Sequence, residues 1–65
     1  MKLKIIDSHQ LLETITDPTK TRQVPRKGDY VMVTEMGREH PIRYQVINVV
    51  FDYPNDTINI HVIYP

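Results

Sequence analysis

Half of the chain's eight basic side chains lie in the segment 20–27, KTRQVPRK, which contains no acidic residue. Clustered cations can hold an anionic partner, such as a phosphate or a carboxylate-rich surface. They can equally serve as the solvated residues of a turn, and the sequence leaves both readings open. Two further arginines would extend a cationic surface if the fold brought them close. The candidate anion-binding set is Lys20, Arg22, Arg26, Lys27, Arg38 and Arg43.

Metal binding and catalysis have much weaker signals. His9, His40 and His61 are not spaced as ligands on one element, and the chain has no Cys to join them. Asp52 and Asp56 flank a predicted turn, where carboxylates are ordinary, and no nucleophile has a motif around it. We therefore expect no metal, no cofactor and no enzymatic activity.

The aromatic side chains offer a second kind of binding chemistry. Tyr44, Phe51 and Tyr64 fall at positions expected in a core, whereas Tyr30 and Tyr53 are expected to be half-exposed. Exposed tyrosines next to cations can stack nucleic-acid bases or pack in a protein interface. Tyr30 and Tyr53 therefore join the candidate partner-binding residues.

Composition limits the classes of protein to consider. The 65 residues are enough for one domain, spanning 1–65, whose small size makes it marginally stable without self-association. A formal net charge of zero disfavours a general nucleic-acid binder. The absence of Cys, of a signal-like apolar core and of a membrane-length apolar run favours a cytoplasmic protein without membrane contact.

Alternating apolar residues predict β-strands over most of the chain. Strands are predicted within 2–6, 30–35, 42–53 and 57–64. In 42–53 the apolar residues change parity, and a one-residue bulge near Ile47–Asn48 would return both halves to the same face. The predicted fold class is therefore all-β, a small barrel of four to five antiparallel strands.

The segment 8–15, SHQLLETI, is ambiguous. Ser8 could cap a two-turn helix with Leu11, Leu12 and Ile15 on one face. A helix this short is marginal by itself, and the same residues also suit a strand after a bend at Asp7–Ser8. Helix and strand both remain open.

Two short patterns resemble those of a known group. They are P-x-x-G-D-x-V and Y-x-V-x-x-V, followed by an alternating C-terminal strand, and together they cover about residues 24–64. This arrangement resembles the short SH3-like barrel proteins of phages and bacteria. The resemblance implies a fold, with the Gly-Asp turn leading into a barrel strand, and transfers no binding residue. The matching positions are Pro25, Gly28, Asp29, Val31, Tyr44, Val46 and Val49.

The C-terminal strand has no charged residue from Thr57 onward. Natural proteins usually guard an exposed strand edge with charge or proline. We therefore predict that this strand is an open edge used for dimerisation or strand addition, with Asn59, His61 and Ile63 on its outward face.

These observations predict a non-enzymatic protein-interaction module. We expect it to self-associate and to resemble phage or mobile-element proteins that occlude or bridge a larger protein. The alternative is a small nucleic-acid or nucleotide-binding barrel that uses a basic patch. Convergence of the six candidate cations on one face would favour that alternative, and interleaved acids would oppose it.

Overall fold

A computed structural model describes residues 1–16, 24–34 and 39–64. The described residues form one sheet of five strands, curled into a half-barrel, and contain no helix. The predicted all-β class is thus confirmed. The strands are β1 (Lys2–Asp7), β2 (Gln10–Ile15), β3 (Tyr30–Val33), β4 (Ile42–Asp52) and β5 (Thr57–Ile63).

The strand order is β2-β1-β5-β4-β3. Three neighbouring pairs are antiparallel, but β1 and β5 run parallel, with Lys2 opposite Thr57 and Asp7 opposite Val62. The expectation of antiparallel strands alone was therefore wrong for this pair. A parallel pair needs a long crossover, and here nearly the whole chain supplies it.

The segment 8–15 is a turn followed by a strand. Ser8 takes a positive φ of 56° and ends β1, after which β2 returns antiparallel to it. The register of this pair shifts between Ile5 and Ile6, and the shift turns Leu12 toward the core as well as Ile15. The near-helical spacing of the apolar residues thus arises from a bulge.

The concave side of the sheet, here called the inner face, carries the core. Eight described side chains, all apolar or aromatic, are at most 4% exposed. Within β4 the register skips Ile47, between Val46 and Asn48, which confirms the predicted bulge. The buried set is Leu3, Ile5, Val33, Tyr44, Val46, Ile58, Ile60 and Val62.

Two predicted core aromatics are exposed. Phe51 is 50% exposed and stacks on Tyr53, with ring centroids 6.2 Å apart. Tyr64 is 68% exposed and meets the buried Tyr44 edge-on at 6.1 Å. Both residues fall at alternate positions that would point inward. Phe51 lies near the end of β4 and Tyr64 directly follows β5, where the described half-barrel does not cover them.

The turn into β3 has the chemistry that the Gly-Asp pair predicts. The Asp29 N–H donates to the Arg26 carbonyl at 2.9 Å, and Gly28 has a φ of +96°, as the third residue of a type II turn requires. The Gly28 N–H donates to the Val46 carbonyl, and the Val46 N–H donates to the Asp29 carbonyl, both at 2.8 Å. Gly28 and Asp29 thus both lie opposite the single residue Val46, which is the arrangement of a glycine bulge.

The predicted open edge at the C-terminal strand was wrong. β5 lies in the middle of the sheet, between β1 and β4. Its lack of charge reflects an interior position, since alternate side chains Ile58, Ile60 and Val62 enter the core. The strands at the two edges are β2 and β3.

Candidate functional site

The convex side of the sheet, the outer face, carries an apolar cluster on β3, β4 and β5. Tyr30 lies directly opposite Gln45, and Gln45 lies directly opposite Ile63. Directly paired residues share a face, so these three form a row that spans two strand spacings, about 10 Å. Met32, opposite Arg43, extends the cluster along β3.

The bulge in β4 adds one more apolar side chain to this cluster. Val46 points inward and Asn48 pairs with His61, so Ile47 and Asn48 both take outward positions. We call the exposed apolar members the outer patch. They are Tyr30 (55% exposed), Met32 (56%), Ile47 (45%) and Ile63 (47%).

Arg43 is held against the outer patch by Tyr30. Its guanidinium carbon lies 4.9 Å from the centroid of the Tyr30 ring, a cation–π contact. Because Arg43 is opposite Met32, this contact is diagonal across the β3–β4 pair. The arginine therefore covers one face of the Tyr30 ring.

Three of the six candidate cations can be placed. Arg26 and Lys27 are exposed on the turn that leads into β3, and that turn bonds to Val46 on the same strand as Arg43. The structure thus brings Arg26, Lys27 and Arg43 to the β3–β4 part of the sheet. Lys20, Arg22 and Arg38 lie outside the described residues.

Acidic groups interrupt this cationic region only in part. Across the described residues 24–34 and 39–50 the three cations are accompanied by two carboxylates, those of Asp29 and Glu39. One oxygen of the Asp29 carboxylate accepts a hydrogen bond from the Arg26 backbone N–H at 2.8 Å, so this carboxylate serves the turn. The described part of the region keeps a small positive balance.

The remaining candidates do not join this cluster. Tyr53 is 78% exposed but follows the far end of β4, where it stacks on Phe51. Asn59 and His61 are half-buried on the outer face of the central strand β5. Ile63, the third predicted self-association residue, belongs to the outer patch.

A polar depression of about 470 Å³ lies at the opposite end of the sheet. Its carboxylates already have partners. Asp56 forms an ion pair with the Met1 ammonium group at 3.1 Å, and Asp52 accepts a hydrogen bond from the Asn55 side-chain amide at 2.8 Å. Lys2 and Lys4 also line it, so charges of both signs are mixed there. The depression has the make-up of an ordinary turn region.

Within 1–16, 24–34 and 39–64 there is no group of three His, Asp or Glu side chains that could hold a metal ion. Over those ranges no helix has the length and apolarity to cross a membrane.

Sequence reasoning missed Met32, Gln45 and Ile47 as members of the candidate surface. Met32 and Ile47 were assigned to strands, but a single strand does not reveal which exposed residues of its neighbours lie beside it. The parity change at Ile47 was the available signal, because a bulge places two consecutive side chains on one face.

No family model, no curated protein and no solved structure matches this chain.

Proposed function

We propose that this chain is a non-enzymatic protein-interaction module that self-associates through the outer patch. The observation that carries the proposal is the outer patch, whose exposed apolar side chains lie on the three adjacent strands β3, β4 and β5. The row Tyr30–Gln45–Ile63 spans these strands, with the half-buried, polar Gln45 between the two exposed apolar side chains. Exposed apolar surface that is contiguous, and not scattered, is typical of interaction sites.

The composition of the outer patch supports a protein partner. Tyr, Met and Arg are enriched at the centres of protein interfaces, and the patch offers Tyr30, Met32 and the adjoining Arg43. The cation–π contact orders Arg43 before any partner arrives, which reduces the entropy lost on binding.

The small core favours a second copy as one partner. A chain of 65 residues buries a modest share of its surface on folding, and eight described apolar side chains make up the buried core. Packing one outer patch against another would remove further apolar area from water, at about 25 cal/mol per Å². Self-association thus offsets the marginal stability of the single domain.

The proposed biological setting is that of the short SH3-like barrels of phages and mobile elements, in the cytoplasm. A module of this kind would occlude or bridge a larger protein. The Gly-Asp turn and the curled five-stranded sheet support this proposal at the level of fold. Fold alone does not choose a partner.

Sedimentation equilibrium across micromolar concentrations tests the proposal. The wild-type weight-average mass should rise above 7.7 kDa toward twice that value. Ile63→Lys should remain at the monomer mass, because it places a charge in the outer patch. Leu11→Lys is the matched control, since Leu11 is 53% exposed but lies on β2, at the other edge of the sheet.

A wild-type mass that stays at 7.7 kDa over the whole range would contradict self-association. Equal dissociation in Ile63→Lys and Leu11→Lys would contradict the assignment of the outer patch. Circular dichroism spectra of both variants show whether each keeps its sheet.

A second candidate function is binding of nucleic acid or a nucleotide. The specific observation in its favour is that Arg26, Lys27 and Arg43 lie in one region together with the exposed Tyr30. A zero net charge and the cover of one Tyr30 ring face by Arg43 count against it.

Fluorescence anisotropy with labelled duplex and single-stranded DNA tests this candidate. If three cations contact phosphates, the log–log salt slope on duplex should be about −3. Arg43→Gln should then weaken binding, while Lys4→Gln, which removes a charge from the polar depression, should not. Absence of binding to either DNA at low salt rules out DNA binding, and the same titration with a labelled nucleotide tests the nucleotide.

A further inference from the structure

β3 is an edge strand with one side unpaired in the described structure. Its four residues pair with β4 from Tyr30–Gln45 to Val33–Ile42. Among residues 1–16, 24–34 and 39–64, no strand pairs with its other side. An edge of this kind presents backbone donors and acceptors that a further strand can use.

The hydrogen-bond pattern identifies which residues present those groups. The Val46 N–H donates to the Asp29 carbonyl, so the Asp29–Val46 pair bonds across β3 and β4. Bonded pairs alternate along an antiparallel ladder, and Val31 and Val33 therefore bond toward β4. It follows that Tyr30 and Met32 direct their N–H and C=O groups away from β4.

The two sheet edges differ in their protection. β2 carries Glu13 opposite the buried Ile5, and its pairing with β1 is interrupted by a register shift. A charged side chain on the edge strand and a bulge are two of the ways in which proteins block unwanted strand pairing. β3 has the sequence YVMV, with neither a charge nor a proline.

The cations near β3 define the chemistry of a suitable partner. Arg43 reaches diagonally to the ring of Tyr30, and Arg26 and Lys27 occupy the turn that enters the strand. The Asp29 carboxylate is bonded to the Arg26 backbone. A segment bearing carboxylates complements this charge, whereas a second copy paired edge to edge would bring like charges together.

We propose that the edge of β3 that no described strand covers accepts an extended acidic segment of a partner protein as a sixth strand. The incoming backbone bonds to the N–H and C=O groups of Tyr30 and Met32. Alternate side chains of the segment lie beside the exposed Tyr30 and Met32 side chains, and its carboxylates approach Arg43 and the 26–27 turn. This site overlaps the outer patch at Tyr30 and Met32, but it uses the backbone of the β3 edge and leaves Ile63 open, so a substitution at Ile63 distinguishes it from self-association.

Model peptides test the proposal. The probes are an alternating glutamate–valine peptide, its lysine–valine counterpart, and a glutamate–valine peptide that is N-methylated at alternate residues. Titrations are followed by amide NMR of the ¹⁵N-labelled protein. We expect only the unmethylated acidic peptide to bind, with the Tyr30 and Met32 amides shifting most and exchanging more slowly with solvent.

Substitutions on the protein give a matched set. Met32→Pro removes an N–H that faces the open edge but no bond to β4, and an edge strand tolerates proline. We expect this substitution to lower the affinity for the acidic peptide by roughly fivefold or more, which is the loss expected from one backbone hydrogen bond. Met32→Ala, which keeps the N–H, should weaken binding less, and Arg43→Gln should weaken it more than Lys4→Gln.

Several results would overturn the proposal. They are equal binding of the acidic and basic peptides, equal binding of the N-methylated peptide, or amide changes centred outside β3. If Met32→Pro does not fold, comparing the N-methylated and unmethylated acidic peptides on the wild-type protein still tests whether the backbone of the edge is used. Binding of a labelled single-stranded oligonucleotide without binding of the acidic peptide would assign the cations to nucleic acid.

One further measurement separates this proposal from self-association. Peptide binding is repeated with Ile63→Lys, in which the outer patch is disrupted. Retained binding supports an edge site that works in the single chain, even if the wild type never associates. Loss of binding in this variant alone would show that the edge site depends on the associated form, and would contradict the site as proposed.

Discussion

Gly28 and Asp29 perform separate tasks in the turn that leads into β3. The φ of Gly28, +96°, is one that residues with a side chain adopt only with strain. Apart from Gly28 and its two chain neighbours, no heavy atom of the described residues lies within 4 Å of where its Cβ would be, so a substitution there meets backbone strain and not crowding. Asp29 holds the turn through the backbone N–H of Arg26. The Arg26 and Lys27 side chains are left for other uses.

We therefore expect Gly28→Val to lower the free energy of unfolding by about 1–3 kcal/mol. The melting temperature should fall by roughly 4–8 °C for each kcal/mol in a domain of this size. Gly28→Asn should lower the free energy of unfolding by less, because Asn tolerates positive φ. Lys27→Ala is the control and should melt like the wild type. Equal melting of Gly28→Val and wild type in a thermal scan would contradict the turn.

The residues of this turn were predictable because their chemistry is local. A Gly-Asp pair before an alternating segment specifies positive φ and an accepting carboxylate within four residues. The contact of Arg43 with Tyr30 was not predictable in the same way. It depends on which residues of β3 and β4 stand opposite each other, and that register is set by the fold.

Among the elements, β4 shows how one extra residue shapes a surface. The bulge at Ile47 lets Val46 and Val49 both face inward, and it adds Ile47 to the outer patch. The parity change that causes the bulge is visible within a single stretch of sequence, so the bulge was predicted. The central position of β5 was not, because it depends on β1, at the other end of the chain.

Deletion of Ile47 tests the role of the bulge. Without it, strict alternation would turn either Tyr44 and Val46 or Val49 away from the inner face. We expect a loss of at least about 2 kcal/mol in the free energy of unfolding, the scale of exposing one large apolar side chain. Ile47→Ala, which keeps the spacing, should change stability by about 0.5 kcal/mol or less. Urea denaturation followed by circular dichroism measures both, and equal stability of the two variants would contradict this role.

At the scale of the whole molecule, the described residues form a curled sheet with a protected centre and two unlike edges. β5 and its neighbours β1 and β4 supply seven of the eight buried core side chains, and Val33 of β3 supplies the other. Local stability follows the number of bonded neighbours and buried contacts that an element has. The binding surfaces proposed above both include β3, the less protected edge.

Native-state hydrogen exchange should reveal this gradient. We expect the slowest amide exchange at Ile58, Ile60 and Val62 in β5, and much faster exchange at Tyr30 and Met32, whose N–H groups face the open edge. The measurement is made on the dilute single chain, with Val31 as the internal control, since its N–H bonds to β4. Protection of Tyr30 and Met32 equal to that of β5 would show that their edge is already covered.

The parallel pairing of β1 with β5 also governs when the protein can fold. Lys2 and Thr57 are 55 residues apart in sequence (57 minus 2) yet stand side by side. Contacts of such high separation raise the contact order, and all-β domains of this kind fold in about milliseconds to seconds, not microseconds. During synthesis the hairpin of β1 and β2 emerges early and must wait, with Leu3 and Ile5 uncovered, until β5 has left the ribosome.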